Sequence, residues 1–121
     1  MNKSRSKVKG KKSAGSVRRL QRARLEKLIA EAIIDCYNQS EEATALFTAL
    51  EDNLPLPFTA TVLGTEVKVG KVDLDKGGTI VAVDSSNRHR QTIRILDLCL
   101  PDPPPPGGEW VEAYRLWYNR G

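Results

Sequence analysis

Four acidic residues near the first third of the chain have the types and spacing to do chemistry. Glu31 and Asp35 stand four residues apart, and Glu41 and Glu42 follow after a short interval. On a helix, residues four apart are neighbours. A helical hairpin turning between Asp35 and Glu41 would fold all four towards each other. Carboxylate oxygens suit hard cations, and calcium takes six to eight of them. Ordinary solvation also accounts for these side chains, since acids are favoured in the first turn of a helix by its dipole. A second acidic group is Asp73-Leu74-Asp75-Lys76-Gly77-Gly78, with Asp84 further on. Counted from Asp73, acids fall at positions 1, 3 and 12 and a glycine at 6, a partial echo of an EF-hand loop. Glycine at position 5, Asp rather than Glu at position 12, and strand-like flanks all speak against a true EF-hand. A hairpin turn with incidental acids accounts for this group too, while Asp73 and Asp75 could still join a cation site.

Other chemistries find less support. The single histidine, His89, sits between Arg88 and Arg90 with no Ser or Cys nucleophile beside it. There is no glycine-rich phosphate loop and no His/Cys cluster with zinc spacing. The expectation is a non-enzymatic protein. Cys36 and Cys99 form no CxxC pair and are expected as buried, reduced thiols. That fits a cytoplasmic protein, as does the lack of an apolar run long enough to cross a membrane.

The formal net charge of +4 is a sum of opposites. Residues 1–24 hold ten Lys or Arg and no acid, whereas residues 25–121 hold nine basic and fifteen acidic side chains. The basic segment, including Lys3, Arg5, Lys7, Lys9, Lys11 and Lys12, has the composition of a non-specific nucleic-acid or ribosome ligand. A solubilising tail, or one contacting the acidic remainder of its own chain, would have the same composition.

These residues must be positioned by recognisable elements. Residues 1–15 have little to bury and are expected as a disordered basic arm, followed by one acidic domain over 16–121. Leu25, Leu28, Ile29, Ala32, Ile33 and Cys36 make one apolar stripe of a helix over 17–37. Ser40 is placed to cap a second helix over 41–52, which Pro55 and Pro57 bring to a close. Strands are expected within 58–98. Gly64-Thr65 marks a hairpin, and apolar parity switches from Val67 and Val69 to Val72 and Leu74 around Gly70, the mark of a bulge. A proline-rich connector over 101–106, flexible at Gly107-Gly108, leads to an aromatic helix over 109–118 carrying Trp110, Tyr114 and Trp117. The fold class is α+β: an N-terminal helix pair packed on a small SH3-like β-barrel, closed by the C-terminal aromatic helix.

Several stretches in this order resemble the small cyanobacterial calcium-binding protein family (CcbP-like). They are Ile33-Ile34-Asp35-Cys36-Tyr37-Asn38, Glu41, Leu50-Glu51-Asp52-Asn53-Leu54, Pro57-Phe58, Ala60-Thr61-Val62-Leu63-Gly64, Ile95-Leu96-Asp97-Leu98 and Trp110-Val111-Glu112-Ala113-Tyr114. The resemblance implies a helical part packed on a small barrel, no enzyme activity, calcium held by surface acids, and a role in calcium buffering or signalling. A regulatory protein is a further candidate partner. By matching position it implies Asp35 and Glu41 as ligands. Glu31, from the helix cluster, and Asp73 and Asp75, from the acidic turn, complete the candidate set. The chain departs from the family, which is acidic throughout, in its basic arm. It also carries Ala45-Leu46 where members often have glycine and an aromatic residue.

Overall fold

The computed structural model describes residues 9–85 and 91–120, with side chains described from Gln21 onward. Its elements are α1 (Lys9–Ala32), α2 (Gln39–Asn53), β1 (Phe58–Val62), β2 (Thr65–Leu74), β3 (Ile80–Asp84), β4 (Gln91–Arg94), a 3-10 turn (Ile95–Asp97) and α3 (Glu109–Arg120). Lys3, Arg5, Lys7, His89 and its flanking arginines lie outside the described residues. Lys9, Lys11 and Lys12 fall within α1, so that helix begins ahead of Val17 and takes in residues 9–15. It ends at Ala32 rather than Tyr37.

The start of α2 has a local cause. Asn38 is extended, and its side-chain oxygen accepts from the backbone N–H of Glu41 at 2.9 Å. The Glu41 carboxylate reaches back to accept from the N–H of Tyr37 at 2.8 Å. This reciprocal cap satisfies donors that a helix start leaves without partners. The cap is therefore Asn38, not Ser40, whose carbonyl instead accepts from the Thr44 hydroxyl inside the helix.

The four strands form one antiparallel sheet in the order β1-β2-β3-β4. The β1–β2 turn is Leu63-Gly64, both with positive φ, which matches the twist of a tight hairpin. The register of β2 on β3 slips between Val69 and Lys71, at Gly70. A Cβ there would lie 2.8 Å from the Ser85 hydroxyl, so closeness of the neighbouring chain calls for glycine. The slip returns Val72 to the buried face used by Val67 and Val69.

The expected barrel is not closed. β4 stops at Arg94 because Ile95–Asp97 coil into the 3-10 turn. The chain then meets the free edge of β1 through a single bridge, Thr61 with Cys99, with bonds of 3.0 and 2.8 Å. Pro101 and Pro103–Pro106 have no N–H with which to extend that pairing. The fold is thus an open sheet with three helices.

Leu46, Leu50 and Leu54 pack with Val69, Ile80, Ile95 and Val111 in the core. Among the described side chains of α1 Ile29 is the buried one, with Leu25, Leu28, Ala32, Ile33 and Cys36 half-buried beside it. In α3 the central anchor is Tyr114, which is fully buried, whereas Trp110 and Trp117 are half-buried. The end of the proline connector is fixed rather than flexible. Gly107 has φ +84°, and a Cβ built on it would overlap the carbonyl of Asn53, the last residue of α2.

Candidate metal site

The turn between α1 and α2 collects negative charge. Asp35 and Glu41 are exposed, Glu42 is half-buried, and Cys36 lies half-buried among them. Desolvation pushes the Cys36 thiol above its ordinary range, and the charges of Glu41, Glu42 and Asp35, in that order, push it further. A thiolate there would meet three like charges, so the protonated thiol is favoured. Three carboxylates therefore bear on one sulfur. Glu31, exposed near the end of α1, is not among the charges that raise it.

The second acidic turn is built differently. Asp75 follows β2, and its Oδ1 accepts from the N–H groups of Gly77 and Thr79, both at 2.9 Å. Its backbone pairs with Thr79 and Gly78 as well. The carboxylate thus shapes the turn. Asp73 is exposed on β2, where its Oδ1 accepts from the next N–H, that of Leu74, at 2.9 Å. Asp84 does not join them. Asp73 is opposite Val81 and Asp84 opposite Val69, which places Asp84 about 10 Å further along β3. It is buried at 3% exposure near the bulge, with its Oδ1 3.4 Å from the N–H of Lys68. The EF-hand count over 73–84 therefore has no counterpart in space.

Among the described residues, no three of His, Cys, Asp or Glu stand close enough to hold a metal ion. Of the five candidates, Glu31, Asp35 and Glu41 stand around the α1–α2 connection, and Asp73 and Asp75 stand at the end of β2. The donor chemistry fits a hard cation: carboxylate oxygens on exposed turns. What the fold offers is surface carboxylates around a turn rather than a preformed cage.

Two residues that spacing did not single out as site residues tie these turns to α3. The indole Nε1 of Trp117 donates to Glu42 Oε1 at 2.7 Å across 75 residues of sequence. Tyr114 stacks on Trp117 with ring centroids 5.8 Å apart, and its hydroxyl accepts from the N–H of Ile80 at 3.1 Å. Ile80 directly follows Thr79, the far end of the Asp75 turn. The sequence signal for Glu42 was its place in the first turn of α2; its partner Trp117 was marked only as part of the aromatic spacing of α3. The expectation of two buried thiols also needs correction, because Cys99 is exposed beside β1. Both cysteines are free.

The comparisons with known proteins come down on one side. A family model described as calcium binding, Calci_bind_CcbP, matches residues 26–117. Among solved structures, CcbP of Anabaena has a similar fold, with a TM-score of 0.64 and 18% sequence identity, covering 83% of this chain and 89% of that one. A calcium-binding protein in its calcium-binding form is also similar, with a TM-score of 0.61 and 20% identity, covering 80% and 90%. At these identities the structural likeness is one of fold. Among curated proteins, none matches the sequence.

Proposed function

This chain belongs to the CcbP family of calcium-binding proteins, and we propose that it takes up Ca2+ at the α1–α2 turn and serves in calcium buffering or signalling. The observation that carries the reading is the match to the calcium-binding family over residues 26–117, a stretch that includes the turn where Asp35 and Glu41 stand exposed beside half-buried Glu42. Asp35 and Glu41 are the principal ligands in this reading. Glu31 lies on the helix just before them and adds to the field. Asp73 and Asp75 make a second, weaker point of attachment, since Asp75 is already engaged by its own turn. Water and backbone carbonyls would complete six to eight oxygens. An open set of this kind suits a modest affinity, on the order of 10⁻⁵–10⁻³ M.

The family is one of binding proteins rather than enzymes, and we infer the same of this chain. Among the described helices none is long and apolar enough to cross a membrane. Two free cysteines suit the reducing cytoplasm, where we place the protein, with residues 16–121 as its domain and the basic segment as an arm. A regulatory protein partner would complete a signalling role. Calorimetry of calcium into the full chain at moderate salt tests the reading. Saturable heat, and a thermal stabilisation that grows with calcium, are expected. Absence of both at millimolar calcium overturns it.

A further inference from the structure

The acidic α1–α2 turn is held from outside by α3, which reaches both helices that flank it. Glu109, the first residue of α3, receives Arg24 of α1 at 3.0 Å. Arg120, its last, reaches Glu26 of α1 at 2.5 Å. Trp117 reaches α2 instead, donating its indole N–H to Glu42 Oε1 at 2.7 Å. The two ion pairs join side chains open to water, Arg24 at 68% and Arg120 at 42% exposure, so solvent and salt screen them. The bond from Trp117 joins two half-buried side chains and ends on a charged acceptor, the stronger kind of hydrogen bond. Of the three contacts it is the one that can keep a side chain in place.

Both ends of that bond are themselves fixed. The backbone N–H of Glu42 donates to the carbonyl of Asn38, the cap of α2, at 3.0 Å. The indole ring stacks on fully buried Tyr114. A buried indole that merely needed an acceptor would be served by a carbonyl or an amide oxygen. A carboxylate brings a full charge to the same turn as exposed Asp35 and Glu41, and all three bear on Cys36. Because an indole has a single N–H, it engages one carboxylate oxygen and leaves the other for a second partner.

Resting on the calcium reading above, we propose that Trp117 is a positioning residue of the calcium site: it holds Glu42 through Oε1 and so pre-places the second carboxylate oxygen for a cation bound at the α1–α2 turn. A glutamate free to rotate must be ordered when the cation arrives, which weakens binding about two- to tenfold per side chain. The indole does that ordering when the protein folds. Asp35 and Glu41 present the site from the surface, and Glu42 completes it from the side of the core. Calcium uptake at the start of α2 thereby depends on a helix near the far end of the chain.

The test is a double-mutant cycle on the full chain, with calcium affinity read by calorimetry for the parent, Trp117→Phe, Glu42→Gln and the two together. Phenylalanine keeps a ring to stack on Tyr114 and removes the N–H. Glutamine keeps an acceptor for the indole and removes the charge. Glu42→Gln should bind calcium about tenfold more weakly, and Trp117→Phe about three- to tenfold more weakly. In the Glu42→Gln background, Trp117→Phe should change the affinity by less than about twofold, since no charge is left for it to place. The chain has two tryptophans, so in Trp110→Phe the emission of Trp117 stands alone, and it should change with calcium at the calorimetric midpoint. Parent-like affinity of Trp117→Phe overturns the proposal and leaves the calcium reading standing. Equal losses from Trp117→Phe in both backgrounds do the same, making Trp117 a support of the fold alone, as does Trp117 emission that ignores calcium while heat is released. Absence of heat from the parent overturns the calcium reading and this proposal with it.

Discussion

The two acidic turns of this protein use carboxylates in opposite ways. In the β2–β3 turn, Asp75 holds its own loop together, accepting from Gly77 and Thr79. The loop is then tethered to α3 by the bond from the Ile80 N–H to the Tyr114 hydroxyl. In the α1–α2 turn, one acid caps a helix, a second is gripped by Trp117 from α3, and with Asp35 they focus charge on Cys36. The first turn consumes its charge locally. The second accumulates charge because a distant helix holds part of it in place. Accumulated charge attracts a cation, whereas a carboxylate already surrounded by N–H donors gains less from one.

The comparison breaks most severely if α3 is loosened. Tyr114→Ala removes a fully buried ring that serves both turns and should cost about 3–5 kcal/mol in denaturant titrations. Tyr114→Phe, losing only the hydroxyl, should cost about 1 kcal/mol. A near-neutral alanine variant would mean that α3 does not organise either turn.

Asp35→Asn should weaken calcium binding by at least about tenfold, as loss of a nearby unit charge implies, with little change in melting temperature. Asp75→Ala should do the reverse. It strips two N–H groups of their acceptor and should destabilise the fold by about 1 kcal/mol, with calcium affinity within a few-fold of the parent. Equal losses of calcium in the two variants would show a diffuse acidic surface and erase the distinction between the turns.

The smallest effect is also the most local. Because the folded thiol of Cys36 is raised above its ordinary 9.0, its protonated form is the favoured one. Its contribution to stability is complete below that value and is lost as pH rises through the folded one. Alkylation at pH 8 should therefore strike exposed Cys99 ahead of Cys36. Calcium at Asp35 and Glu41 would cancel part of the field and speed Cys36 alkylation severalfold. Desolvation, the larger cause, would remain. A rate indifferent to calcium would place the cation elsewhere.

The elements of this fold were legible because their signals are local. The stripe through Leu25, Leu28 and Ile29, the prolines after α2, the parity switch at Gly70 and the aromatic spacing of α3 each depend on a few neighbouring residues. Helix ends were less legible, since Asn38 and Ser40 both make good caps and only the reach of Glu41 decides between them. Closure of the sheet was not legible, because it depends on whether the chain after Asp97 can pair with β1, and prolines withhold the donors. The candidate site was legible only as charge. Asp35 and Glu41 could be found by spacing, but the grip of Trp117 on Glu42 joins residues that no periodicity relates.

Gly107 has a mechanical consequence for both turns. Its contact with the Asn53 carbonyl makes the end of α2 a fulcrum and α3 a lever. Eight residues of α3 put Trp117 about 12 Å beyond the helix start beside that pivot, so a tilt of about 6° would carry the indole about 1.3 Å. A displacement of that size takes a 2.7 Å bond out of hydrogen-bonding range. The stiffness of one joint, remote from every acidic residue of the α1–α2 turn, thus governs whether the grip on Glu42 holds or slips.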